Sequence, residues 1–219
     1  MNTKILNVKL YFWLLFFISS IVFILFPQID IYVSSLFYDG DAFPLKKTPF
    51  EQFIYHSVRP LIIILSLGSI AIFIYNFFKK TNILNINAKV ILYLILVLGV
   101  APGIIVNGVL KPHWERARPI QIVDFGGKKE FTPAFMLSDQ NGHSFSSGHA
   151  AAAFSLIGFV ILAPRRKKVW MSIILSYGAV MGLARISAGG HFLSDVVTSF
   201  FIVFISTAII HYMLFKEDL

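Results

Sequence analysis

"SFSSGHAAAAFS", residues 144–155, puts a polar lip on an apolar run. Small hydroxyl residues, a glycine and one imidazole, His149, come first, and four alanines follow. Most of the neighbouring chain is Phe, Ile, Leu and Val. A serine at a helix start accepts a hydrogen bond from a free N–H of the first turn. Glycine and alanine behind it let neighbouring helices come close. The pattern predicts a membrane helix over 148–164 that is entered from a polar surface.

The rest of the chain fits that setting. Of 219 residues, 57% are hydrophobic, and the mean hydropathy is +0.75. These values lie far above those of an ordinary soluble domain. A helix crosses a bilayer core with about 20 apolar residues. Six runs qualify, at 10–27, 60–78, 88–110, 148–164, 169–187 and 192–214. The expected fold is all-α: six transmembrane helices bundled in a single membrane domain over 1–219. The first run, with no small-residue cleavage site before Pro27, reads as a span and not a cleaved leader. Pro102-Gly103 should kink or loosen the third span. Gly178, Gly182 and Ala184 predict a close helix contact in the fifth. The chain has no cysteine, which excludes disulfides, thiol nucleophiles and cysteine–metal sites. The net charge of +8 sits in short clusters between apolar runs, a topology signal and not a nucleic-acid surface.

Lysines and arginines orient the bundle. "RRKKVW", 165–170, places four cations together with no acid nearby. With Lys4, Lys9, Lys79, Lys80, Lys89 and Lys216, it marks the cytoplasmic side and puts both termini inside. The opposite loops also carry cations, so the short loops decide the orientation. The other face then holds 28–59, 111–147 and 185–191. Residues 28–59 read either as a short surface helix or lid in the interface, or as a plain connection.

Three segments on that face carry polar groups in need of a reason. They are "KPHWERARP" (111–119), "SSGH" (146–149) and "ARISAGGHFLSD" (184–195). Taken singly each has a bland reading. Lys111, Arg116 and Arg118 could snorkel to headgroups, Ser147 and Gly148 could only cap a helix, His149 could be structural, and Arg185 could be an interface anchor. His191 and Asp195, four apart, could form a local ion pair. Together they suit group transfer to and from phosphorus. Arginine and lysine match phosphate oxygens. Free N–H groups at a helix start hold an anion. Two histidines can divide attack and proton delivery, and Asp195 can fix one tautomer of His191. Carboxylates are few and no pair of them flanks the histidines, so no metal and no cofactor is expected.

The three blocks, in this order and spacing, resemble the type 2 phosphatidic acid phosphatase superfamily, which also includes vanadium haloperoxidases. "KPHWERARP" resembles Lys, six residues, Arg-Pro; "SSGH" resembles Pro-Ser-Gly-His; "ARISAGGHFLSD" resembles Ser-Arg, five residues, His, three residues, Asp. Two positions depart: Ser146 stands where the family has proline, and Ala184 where it often has serine. The resemblance implies a haloperoxidase-like phosphatase core. It implies that Lys111, Arg118, Ser147, Gly148 and Arg185 bind the phosphoryl oxygens. His191 would attack phosphorus, Asp195 would orient it, and His149 would protonate the leaving oxygen. The stretches "APGIIVNGVLKPHWERARP" and "FPQIDIYVSSLFY" look most like bacterial lipid A phosphatases, particularly the 4′-phosphatase branch. The implied activity is metal-independent hydrolysis of a lipid phosphate at the periplasmic face of an inner membrane. The implied partners are the lipid substrate and membrane lipids, with no nucleic acid and no obligatory protein. Undecaprenyl diphosphate and phosphatidylglycerol phosphate are alternative substrates. Two readings of another class stay open: a membrane haem protein with His149 and His191 as ligands, and an anion transporter supported by Pro102-Gly103 and Asn107.

Overall fold

The computed structural model describes residues 3–6 and 8–216. A two-residue hairpin, β1 (Lys4–Ile5) against β2 (Val8–Lys9), precedes helix α1 (Leu10–Leu25). Helix α2 (Gln28–Ser35) follows after a bend of 84°. Then come α3 (Pro49–Lys79) and α4 (Ala88–Leu98), which continues as a π-helical segment over Gly99–Leu110 into the one-turn α5 (Lys111–Trp114). Helix α6 (Gly148–Ser155) tightens into a 3₁₀ segment, Leu156–Leu162. Helices α7 (Lys167–Ser187) and α8 (Leu193–Phe215) complete the chain.

Among the described residues, four helical runs are long and apolar enough to cross a membrane: Pro49–Lys79, Ala88–Gln121, Lys167–Ser187 and Leu193–Phe215. The bent pair α1–α2 makes a fifth if taken as one span, while Gly148–Leu162 is a shorter apolar helix. The chain is therefore a helical membrane protein with four to five such spans by length, against the six expected. The difference falls on the first and fourth runs: α1 stops at Leu25, just before Pro27, and the fourth helix, continuous through its change of winding, covers only Gly148–Leu162. Large apolar side chains on α3 face outward, Phe77 at 71% and Phe78 at 75% exposure, which only lipid tolerates over such an area.

Boundaries moved where local chemistry overrode hydropathy. The apolar run places the second span at 60–78, with 28–59 before it. Helix α3 starts at Pro49 instead: the Thr48 hydroxyl accepts the Glu51 N–H at 3.3 Å, and proline occupies the first turn. Pro60 lies inside the helix. Pro102 loosens the third span as expected, into the wide π winding, and Asn107 Nδ2 donates to the Pro102 carbonyl at 2.5 Å.

Helix α6 packs between the π segment, α7 and α8. Ala150, Ala151 and Ala153 are fully buried. Ala150, Ala151 and Phe154 pack with Ala101 and Val106 of the π segment, Ile186 of α7, and Val196 and Val203 of α8. The glycines of α7 permit this closeness. A Cβ on Gly178 would lie 2.2 Å from the Phe154 ring, and one on Gly182 would lie 2.4 Å from Val196 Cγ1. Helix α2 is a short helix with two faces: Tyr32 is 66% exposed, while Asp30 is 1% exposed and reaches into the protein interior.

Candidate active site

Three backbone hydrogen bonds bring the polar blocks together. Ser144 N–H donates to the Arg116 carbonyl at 3.0 Å, tying the first block to the second. Ile120 N–H donates to Gly189 at 3.1 Å, tying the first to the third, and Ser147 N–H donates to Asp195 at 3.3 Å, tying the second to the third. Left-handed Glu115 (φ 47°) turns the chain out of α5 into this arrangement. Segment 142–144 can run flush against it because Gly142 has no side chain: a Cβ there would lie 2.1 Å from the Arg116 carbonyl oxygen.

Each expected residue can now be placed. Ser147 caps α6, its Oγ accepting the Ala150 N–H at 3.4 Å, while Ser199 Oγ donates to the Ser147 carbonyl at 2.9 Å. Gly148 opens the helix beside the Lys111 ammonium: a Cβ there would sit 2.8 Å from Lys111 Nζ. Gly190 plays the same part for Arg185, whose Nη2 would lie 2.2 Å from an added Cβ. The two cations are thus held against the backbone on either side of the histidine-bearing segments. The His149 ring stacks on Tyr55, with centroids 4.2 Å apart, and the Arg185 guanidinium lies 4.7 Å from the same Tyr55 ring. Arg118 lines a cleft with Arg185, and its N–H donates to the Gln121 side chain at 2.9 Å.

His191 is 2% exposed and precedes α8. Its Nδ1 lies 2.7 Å from the Ser144 carbonyl oxygen and 3.5 Å from Asp195 Oδ2. A carbonyl only accepts, so Nδ1 carries the proton and Nε2 holds a free lone pair. Burial pushes the imidazole down to about 4, with the nearby Asp195 opposing and the cations of Arg185 and Lys111 adding to the shift. The ring is neutral at pH 7. Asp195 was expected to hold His191 directly, and its shorter contacts go elsewhere. Its carboxylate accepts from Ser144 Oγ at 2.6 Å, Phe192 N–H at 2.8 Å and Arg116 Nη1 at 2.7 Å.

Arg116 corrects the sequence reading most. A headgroup-seeking role was one option for it, yet its side chain is fully buried. It donates to Asp195, to Asp30 Oδ2 at 2.8 Å, to Ser194 Oγ at 2.9 Å and to the Thr132 carbonyl at 2.8 Å, and it lies 4.3 Å from the Phe192 ring centroid. Two carboxylates share one guanidinium here, so Arg116 offsets one buried negative charge, and the hydrogen bonds from Ser194 and Ser144 help hold the other. Glu51 is a second residue missed. Its Oε1 accepts from Arg185 Nη1 at 2.9 Å and its Oε2 from Gln52 Nε2 at 2.8 Å. Neither acid could be found from spacing, since both come from distant chain segments, though an acid in a mostly apolar stretch was a signal. Among the departures, Ser146 is fully buried and its hydroxyl has no hydrogen-bond partner among the described residues, while Ala184 packs with Ile54 and Met181. The Arg185 Nε is likewise unpartnered among the described residues.

A helical membrane protein with two histidines among fixed cations has the makings of a phosphotransfer enzyme, and comparison with known proteins gives the class. The PAP2 superfamily matches residues 91–218, and the chain belongs to that superfamily. It is a phosphatase. It is 34% identical over 214 residues to the Lipid A 4'-phosphatase of Francisella tularensis subsp. novicida (strain U112), covering 92% of this chain and 93% of that one. It is 32% identical over 205 residues to the Lipid A 4'-phosphatase of Rhizobium leguminosarum, covering 86% and 88%. No solved structure matches significantly.

Proposed function

We propose that the chain removes a phosphate monoester from lipid A, the 4′-phosphate first among candidates, by way of a phosphohistidine on His191. The observation that carries this is the tautomer of His191: Nδ1 is bound to a carbonyl, which leaves Nε2 as a neutral nucleophile beside Lys111 and Arg185. The substrate follows from two relatives that match this chain over most of their length. Nε2 attacks phosphorus in line as the bond to the leaving sugar oxygen breaks; His149, which takes up a proton as the substrate phosphate offsets the cations around it, delivers that proton to the leaving oxygen. A water then gives its proton back to His149 and its oxygen to phosphorus. The P–N bond breaks, inorganic phosphate leaves and His191 is neutral again. Lys111, Arg118 and Arg185, with Ser147 and the Gly148 N–H, hold the equatorial oxygens and stabilise their charge. Asp195 positions His191 through Ser144 and Phe192.

The proposed setting is an inner membrane, with six spans in one domain, both termini cytoplasmic and the site periplasmic. Leu10–Leu25 and Gly148–Leu162 would supply the two spans beyond the four long ones. The experiment is phosphate release in EDTA from lipid A, phosphatidylglycerol phosphate, undecaprenyl diphosphate and phosphatidic acid. Wild type should prefer lipid A. His191→Ala should lose at least about a thousandfold in kcat. Full activity in that variant removes the nucleophile assignment, and preference for another lipid removes the substrate.

A further inference from the structure

Beside the proposed phosphate site lies an open cleft of about 420 Å³ that shares Arg118 and Arg185 with it. Lys46, Lys47, Glu51, Gln52 and Tyr55 complete its lining. Four cationic side chains therefore face one carboxylate. That carboxylate is already engaged at both oxygens, by Arg185 and by Gln52. No acid pairs with Lys46 or Lys47 among the described residues, and both are exposed.

The lysines are on a braced turn and not a loose loop. They end a short 3₁₀ turn, Pro44–Lys47, that leads directly into α3. Gln52 Nε2 donates to the Lys46 carbonyl at 3.0 Å, and Thr48 Oγ1 donates to the Leu45 carbonyl at 2.9 Å. Phe43, just before the turn, is 3% exposed and seats against Gly189 of the third block, where an added Cβ would lie 2.6 Å from its ring. The turn is thus fixed to the same loop that carries His191. Paired lysines fixed beside a phosphate site, with the acid that lines the cleft engaged elsewhere, attract a second anion.

We propose that Lys46 and Lys47 form a specificity subsite for a second anionic group, a phosphate or carboxylate, on the same lipid molecule whose phosphate lies between Lys111 and Arg185. The subsite rests on the proposed lipid phosphatase function and extends it to substrates carrying at least two anionic groups. The reacting phosphate takes Lys111 and Arg185, the second anion takes the lysine turn, and Arg118 lies between the two.

The test compares a bisphosphorylated and a monophosphorylated disaccharide lipid with the same acyl chains, in uncharged detergent micelles, using the full-length protein. Lys46→Gln/Lys47→Gln should lower kcat/KM on the bisphosphorylated lipid by roughly tenfold or more. It should leave the monophosphorylated lipid within about twofold, and Lys46→Arg/Lys47→Arg should restore the preference. The same lipids are then bound to His191→Ala protein with and without the lysine changes, a readout independent of turnover. Weaker binding of the bisphosphorylated lipid alone supports the subsite even if wild type releases no phosphate, which would remove only the phosphatase reading. Equal loss on both lipids, or no loss, overturns it. So does a loss that appears only when anionic bilayer lipid is added, because the lysines would then be gripping the surrounding membrane.

Discussion

His191 is held by the backbone of Ser144, with Nδ1 2.7 Å from that carbonyl oxygen and 3.5 Å from the Asp195 carboxylate. The shorter contacts of Asp195 are with the groups around His191. The Asp195 carboxylate fixes Ser144 through the hydroxyl, Phe192 through the N–H, and the whole junction through Arg116. The amide of asparagine cannot accept from all three donors and presents an NH₂ to one of them. Asp195→Asn should therefore lose stability together with activity, by about 3–5 kcal/mol for a broken buried pair. Denaturant unfolding in detergent and phosphate release, measured on the same preparation, check it. Normal stability with activity abolished would return Asp195 to direct action on His191.

The buried imidazole also sets a pH dependence. Unfolded, His191 titrates near 6.5; folded, burial lowers it to about 4. Below pH 6.5 the unfolded chain binds the proton that the folded chain refuses. This stabilising contribution is complete above 6.5 and declines as pH falls toward 4. NMR of imidazole-¹⁵N-labelled protein should keep Nδ1 protonated and Nε2 unprotonated at pH 5.5. A His191 midpoint near 6.5 would show that burial does not shield the ring from protonation.

Helix contact at α6 makes a separate prediction. A methyl on Gly178 would overlap the Phe154 ring, at 2.2 Å. Gly178→Ala should destabilise the protein by about 1–3 kcal/mol, and adding Phe154→Leu should recover part of the loss. Thermal unfolding of the single and double variants reads both. An unaffected single variant would mean that α6 and α7 are free to separate.

These contacts divide what the sequence shows from what it hides. Gly178 and Gly182 were readable because small residues in an apolar run have one main use, close packing. His149, His191, Lys111, Arg118 and Arg185 were readable because they fall in three polar blocks at helix ends. Asp30, Glu51 and the depth of Arg116 were not. Their partners lie 86 residues from Asp30 to Arg116 and 134 from Glu51 to Arg185, so no local spacing records them. The start of α3 was hidden for a related reason: hydropathy sees charges at 51 and 59, while the cap at Thr48 and a buried acid decide the helix.

Glu51 gives the most direct trial of that hidden layer. Its side chain is 3% exposed and pairs with Arg185, itself 12% exposed. Arg185 also lies 4.7 Å from the Tyr55 ring centroid, and Tyr55 stacks on His149. Removing the carboxylate frees Nη1 and lets the guanidinium drift from the position that Gly190 leaves for it. Glu51→Ala should raise KM for the phospholipid on the order of tenfold, with a smaller fall in kcat, because ground-state phosphate binding suffers before the nucleophile does. Glu51→Gln, which can still accept one guanidinium hydrogen bond, should lie between the two. Steady-state kinetics on the three proteins decides the matter. A loss confined to kcat would mean that Glu51 acts on the histidines through Tyr55 and not on the phosphate through Arg185.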